Sequence, residues 1–236
     1  MHIRPLHQAD EMKAASLLEA RIWGGSDSTP PSLLLVFAHH GGVVLGALDN
    51  DQLIGVSVGF PGLDKKGVSY LHSHLLGVLP RYRRQRVGEA LKWAQWEYAE
   101  NAGFPYVGWT YDPLMAANAW FNLGVLGARV ADVLDNAYGR LDDEINGSLP
   151  THRFWVTWAP HPSLPRDSVS DGPLLEIPED VIALRQRDPE QARELADHYF
   201  QQIAHYWHTG FRVAGVVREN GRVWYRWQDE RKEVER

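Results

Sequence analysis

The stretch that most limits what this chain can become is GVLPRYRRQRVGEALKWAQW, residues 77–96. Pro80 stops an apolar run, and four arginines (Arg81, Arg83, Arg84 and Arg86) follow within six positions. Gly88 then leads into a segment with helical periodicity. A strand has to end here, turn tightly and hand over to a helix. Such a junction aims unpaired backbone N–H groups and the positive end of a helix dipole at one spot, which suits an anion. Neighbouring arginines add charge-assisted forks for phosphate oxygens. Residues 83–90 therefore read as a pyrophosphate seat. The same run also reads as a solvated basic loop, and it lacks the second basic stripe that a nucleic-acid surface would bring.

Composition makes the arginine cluster a local device. The chain carries a net charge of −6 over 236 residues, which does not suit a protein built to coat nucleic acid. Its 44% hydrophobic and 23% charged content is that of an ordinary soluble globular protein. Ten tryptophans point to a well-filled core or an aromatic-lined cleft. Zero cysteines exclude disulfides, thiolate metal sites and a cysteine nucleophile. The opening MHIRPLHQAD has no apolar signal core and no run reaches membrane-spanning length, so a cytoplasmic protein without a membrane partner is expected.

Periodicity and turn chemistry place the elements. MHIRPL reads as a short strand, and Asp10 opens a helix to about Ile22 with Met12, Ala15, Leu18 and Ala20 on its apolar stripe. GGSDSTPPS is a loop, and His39-His40 reads as loop entering a strand. GGVVLGAL and QLIGVSVGF form a hairpin around DND, and SYLHSHLLGVLP is a third strand. The helix after Gly88 carries Val87, Leu91, Ala94 and Tyr98, and ends at NAGFP. PYVGWTY is a strand, Asp112-Pro113 opens a helix to about Leu123, and GARVADVL and RFWVTW are strands. Residues 1–160 thus form an α+β layout: a mixed, mostly antiparallel sheet with one strand–loop–helix unit at its centre. A Pro/Ser-rich linker at 161–172 separates a small C-terminal β-α-β-β unit, 173–236, with a helix from about Pro189 to His208 and a hairpin at Asn220-Gly221. A unit of that size buries little core alone, so it is expected to pack on the first domain or to mediate a homodimer.

Several chemical motifs compete. GVSVG, Gly55 to Gly59, matches a hydrolase elbow, but it sits inside an alternating strand rather than at a strand-to-helix turn. His198, His205 and His208 fall within one face of a helix, yet no carboxylate joins them at ligand spacing, and no metal is expected. Asp142, Asp143 and Glu144 read as a surface cluster or as partners for a substrate ammonium.

YRRQRVGEALKWA resembles the coenzyme A loop of the GNAT N-acyltransferase superfamily, whose pattern is Arg/Gln-x-x-Gly-x-Gly/Ala. LHSHLLGVLP resembles that family's central strand, and DPLMAANAWFNLGVLGARV resembles its next strand and following helix. LKWAQ, WTYDPL, NAWFN…LGA, AYG and LPTHRFWVTW together resemble a branch of predicted acetyltransferases within the superfamily. The resemblance implies a GNAT-like fold and an acyl-CoA-dependent N-acyltransferase. The donor would be acetyl-CoA or a larger acyl-CoA such as succinyl-CoA, and the acceptor a small-molecule amine or amino acid. A non-catalytic acyl-CoA-binding or regulatory protein on the same fold is the alternative.

Carried over position by position, the resemblance puts the main chain of Leu76 and Val78 against the pantetheine arm. The diphosphate falls on the amides of Arg84, Gln85, Arg86, Val87, Gly88 and Glu89, with Arg83 or Arg84 nearby and Asn118 at the cofactor or on the helix surface. Two departures stand out. Arg86 occupies the first glycine position, and its amide serves if φ is negative. Asn122 falls near the usual tyrosine acid and cannot donate a proton, which leaves Tyr138 as a substitute acid or an ordinary loop tyrosine. His72 and His74 alternate with Leu76 and Val78, so all four side chains are expected on one face. His72 stands where the family often has its base and its unperturbed pKa suits the task; a structural histidine is the other reading.

Overall fold

The structure is a computed structural model that describes residues 1–24, 28–139, 149–160 and 172–232. Backbone contacts group the chain into two compact units, Met1–Trp109 and Thr110–Arg236. Asp142, Asp143, Glu144 and the body of the expected linker lie outside the described residues.

In the first unit, β1 (His2–Pro5), α1 (Ala9–Trp23) and α2 (Pro31–His39) precede β2 (Val43–Asp49), β3 (Gln52–Leu63) and β4 (Ser69–Val78). Then come α3 (Val87–Asn101) and β5 (Val107–Tyr111), whose last two residues belong to the second unit. The strands lie in the order β1-β2-β3-β4-β5, antiparallel up to β4 and parallel between β4 and β5. Asn50 and Asp51 turn the β2–β3 hairpin at φ 46° and 62°, a left-handed pair that these two residue types tolerate. The helix α2 corrects the loop expected before Gly41: His39 ends that helix and His40 caps it. Pro31 supplies a preset φ at its first turn, and Leu34 anchors it in a cluster with Leu6, Met12, Leu18, Val56 and Val58. A continuous apolar run such as SLLLVFA carries no period that separates helix from strand.

Side chains of β3 alternate between two layers. Val56 and Val58 face α1 and α2, whereas Gly55 lies under Val87 and Leu91 of α3, and Ser57 bonds Gln95 of α3. The apolar stripe of α3 is shifted from the expected one. Val87, Leu91, Lys92, Gln95 and Ala99 are buried, while Ala94 and Tyr98 are only partly so.

In the second unit, α4 (Ala116–Ala119) runs into a wider turn, Trp120–Val125, where Leu126 N–H donates to Phe121 O. The expected helix start at Asp112-Pro113 is displaced to Ala116. Asp112 instead accepts from Leu114 N–H at 2.9 Å, while its carboxylate pairs with Arg185 at 2.5 Å. β6 (Arg129–Leu134) and β7 (Arg153–Trp158) pair antiparallel. β8 (Leu174–Glu176), α5 (Val181–Arg187), α6 (Pro189–His208), β9 (Phe211–Glu219) and β10 (Arg222–Asp229) follow, with a second sheet ordered β8-β10-β9. Asn220 and Gly221 make the expected hairpin turn at φ 48° and 85°.

The C-terminal hairpin shares its core with residues 110–158. Phe154 packs edge-on against Tyr111 and Tyr225 at 5.7 and 5.2 Å between ring centres. Tyr225 donates to Pro113 O at 2.9 Å, and its oxygen lies 3.3 Å from that of Tyr111. Tyr225 is fully buried, and such a ring is worth about 3–5 kcal/mol on truncation to alanine. Tyr225→Ala should therefore lower the unfolding free energy by about 3 kcal/mol or more. Denaturant titration checks this, and a loss under about 1 kcal/mol would contradict a shared core.

Candidate functional site

β4 is paired unequally along its two edges. Its β3 edge is paired from Ser69 to Val78. On the other edge, β5 registers only Leu71 with Val107 and His72 with Gly108, and no further registered pair follows among the described residues. Residues 74–78 therefore offer a backbone edge on which an extended ligand arm can pair as an added strand does.

That edge leads into the arginine loop. A single 3-10 turn at Pro80–Tyr82 ends β4, and α3 begins at Val87 with no side chain capping its first amides. Arg84 and Arg86 both adopt left-handed backbone, at φ 62° and 60°. The negative φ set as a condition for the Arg86 amide is therefore not met; the position instead keeps the conformation that favours glycine, so its amide points as a glycine's would there. The Arg86 guanidinium folds back in a bidentate pair with Glu89, both contacts at 2.8 Å. Arg83 and Arg84 are exposed, and Arg83 Nε donates to Val78 O at 3.3 Å. The loop thus gathers helix-start amides, Gly88 and two exposed guanidinium groups at the end of the open strand edge.

The two histidines lie on the layer opposite Leu76 and Val78. The β3–β4 register runs Gly59↔Ser73 and then Val58↔Leu75, so His74 is an inserted residue, a β-bulge. Before the bulge, Ser73 faces α3; after it, Leu76 and Val78 pair with Ser57 and Gly55 on that same α3 layer. His72 and His74 face α1 and α2 instead, against Phe60 and Phe37. The expectation that His72, His74, Leu76 and Val78 share one face is therefore corrected: one extra residue breaks the alternation.

His72 lies in an aromatic row. Phe60 is 5.0 Å from it, Tyr70 6.1 Å, and Tyr70 stacks on Tyr106 at 5.1 Å. The Tyr70 hydroxyl stands 3.4 Å from His72 Nδ1. Burial lowers the His72 pKa to about 4, helped by the neighbouring His74 and Lys92 charges. Burial also lowers His74, while Glu19 opposes the shift. His72 is consequently a neutral imidazole at neutral pH.

Residues 12–125 match the Acetyltransferase (GNAT) family. The match covers just under half of the chain, and over that stretch the sequence is similar to GNAT acetyltransferases. A comparison of the sequence with curated proteins finds no match. Among solved structures, the chain is similar to the ribosomal-protein-S18-alanine N-acetyltransferase of Escherichia coli, at 17% identity and a TM-score of 0.53, over 70% of this chain and 98% of that one. Similar, too, is aminoglycoside 6'-acetyltransferase type Ii, at 20% identity and 0.52, over 69% and 100%. A GNAT-like decarboxylase in complex with isobutyryl-CoA aligns at 18% identity and 0.51, over 67% and 99%. At these identities the likeness establishes the GNAT fold.

In the second unit, Asn118 is exposed on α4 and Asn122 is buried in the wider turn that follows. Tyr138 is half-exposed, with its hydroxyl 2.8 Å from Thr110 Oγ1 and its backbone N–H donating to Thr151 Oγ1. Ser57 of GVSVG is fully buried mid-strand and accepts from Gln95, so it is no elbow nucleophile. His198 contacts Gln202, His208 bonds Ala204 O, and no metal-holding cluster occurs among the described residues. No described helix is long and apolar enough to cross a membrane.

Sequence reasoning missed a buried polar network between α3 and the GNAT sheet. Lys92 Nζ donates to Ser73 Oγ at 2.7 Å and Gln95 Oε1 at 3.2 Å, and lies 3.6 Å from the Trp109 ring centre. Its only trace in the sequence is that Lys92 and Gln95 stand one and four residues after Leu91, flanking the apolar stripe.

Two outcomes follow. Arg86→Gly should be more stable than Arg86→Val by about 1–2 kcal/mol, because a β-branched residue is strained at φ 60°. Equal unfolding free energies would contradict the left-handed loop. Because the folded His72 pKa is depressed, its contribution to stability is present above about 6.5 and is lost as pH falls toward about 4. An NMR titration of His72 should give a midpoint near 4, and one near 6.5 would contradict its burial.

Proposed function

We propose that the chain is an acyl-CoA-dependent N-acyltransferase that moves an acetyl group, or a larger acyl such as succinyl, to the amine of a small molecule or amino acid. One observation carries this reading: the unpaired backbone edge of residues 74–78 runs straight into the amide-rich start of α3. That order fits an extended arm ending in a diphosphate. The main chain of Leu76 and Val78 would pair with the pantetheine arm. The amides of Arg84, Gln85, Arg86, Val87, Gly88 and Glu89, beside Arg83, would take the diphosphate, and Asn118 would touch the cofactor.

In the reaction, the acceptor nitrogen attacks the thioester carbonyl, the C–S bond breaks, and coenzyme A leaves as thiolate. The amine proton must go to a base, and His72, with His74 beside it, supplies a neutral imidazole on the layer facing α1 and α2. The thiolate then takes a proton from Tyr138 or from water, since Asn122 offers none. An acyl-CoA-binding protein without catalysis is the second reading, favoured by the Arg86–Glu89 pair at a glycine position and by Asn122.

Release of free coenzyme A thiol from acetyl-CoA and succinyl-CoA, measured over a panel of amines and amino acids, separates the two. Turnover with some amine is expected; tight coenzyme A binding with no turnover on any would leave the binding protein. Gly88→Val should weaken coenzyme A more than about tenfold by calorimetry, and unchanged affinity would remove the loop from the site. His72→Ala should lower kcat/KM by about 10²–10⁴ with coenzyme A affinity nearly unchanged. Loss of melting temperature alone would move His72 to the scaffold.

A further inference from the structure

Lys92 has no use in the acyl transfer just described, and its placement is costly. It is 3% exposed, and no carboxylate pairs with it among the described residues. An amine in that position gives up its hydration for two hydrogen bonds and an aromatic face, where a methionine would fill the same space without the penalty. The reason for an amine is found in what it holds.

Its strongest bond goes to Ser73, the last paired residue of β4 before the bulge. Its neighbour Gln95, fully buried, accepts from Lys92 and donates to Ser57 of β3 at 3.0 Å. The two serines stand on opposite sides of the register shift: Ser73 pairs with Gly59, and Ser57 pairs with Leu76. One helix turn therefore grips both strands across the point where one residue is inserted. A slip of that insertion would carry His72 to the other layer, because strand side chains alternate.

We propose that Lys92 is a positioning residue whose hydrogen bond to Ser73, braced by Gln95 and Ser57, holds the β4 bulge at His74 and keeps His72 on the layer facing α1 and α2. The kinetic consequence rests on the acyltransferase reading above; the positional one does not. The groups that bear on His72 are the Tyr70 hydroxyl, His74 and Lys92, with Glu19 of α1 acting on His74. Removing Lys92 takes away a positive neighbour, so His72 should hold its proton to higher pH.

The test uses Lys92→Met and Ser73→Ala in the full chain, singly and together. Lys92→Met removes the cost of a buried charge but leaves Ser73 Oγ and Gln95 Oε1 short of a donor, so its melting temperature is expected to stay near that of wild type. With acetyl-CoA and the best amine of the panel, kcat should fall about tenfold or more while KM for acetyl-CoA moves less than about threefold. The double variant should be no worse than either single one. Independently of turnover, the His72 NMR midpoint should rise in Lys92→Met, and the nuclear Overhauser contacts of the His72 ring with Phe60 and Tyr70 should weaken or vanish as the bulge slips. A lysine that does not hold the bulge gives unchanged kinetics and unchanged His72 ring contacts with Phe60 and Tyr70, whatever the His72 midpoint does, and that result overturns the proposal. If no amine is turned over, the acyltransferase reading fails while the His72 ring contacts still decide the role of Lys92. Should Lys92→Met not fold, Ser73→Ala, which keeps the Lys92 charge, decides by kcat and by the His72 ring contacts.

Discussion

One inserted residue in β4 organises the candidate site. Without the bulge at His74, the alternation of the strand would put the two histidines on the same layer as Leu76 and Val78, under α3. With it, the α3 layer receives Leu76 and Val78, and the layer under α1 and α2 receives the histidines and their aromatic neighbours. The same strand stops pairing with β5 after His72, so its outer edge is open just where the bulge lies. A change of register is thus also what separates the ring that would handle a proton from the backbone that would hold a cofactor arm.

The loop that follows carries a different cost. Left-handed backbone at two arginines is unfavourable by about 1–2 kcal/mol each, and an exposed pair such as Arg86–Glu89 returns only about 0.2–1 kcal/mol. A glycine would adopt the same turn without that strain. The loop geometry is therefore imposed by the ends it joins, Pro80 on one side and the buried Val87 on the other, and not chosen by its own residues.

Much of this was legible in the sequence because turn chemistry and periodicity are local. Asn50-Asp51, Asn220-Gly221, Pro80 and the start of α6 at Pro189 all mark boundaries that the structure keeps. What was not legible depends on neighbours distant in the chain. The α2 run has no period, and Asp112 caps a turn because Arg185, far along the chain, takes its carboxylate. The bulge leaves no mark on LHSHLL, and Lys92 and Gln95 look like surface residues until Ser73 and Ser57 are placed beneath them. The histidines were found in the sequence, but their layer was not.

The central claim is that the open edge of β4 and the start of α3 form one continuous seat for coenzyme A. Residue-resolved amide hydrogen exchange, with and without saturating coenzyme A, tests it most directly. The account predicts slowed exchange at Leu76, Val78 and the amides of residues 84–89 together, with little change along β9 and β10. Protection confined to other surfaces, or none at the strand edge while the molecule binds, would contradict it.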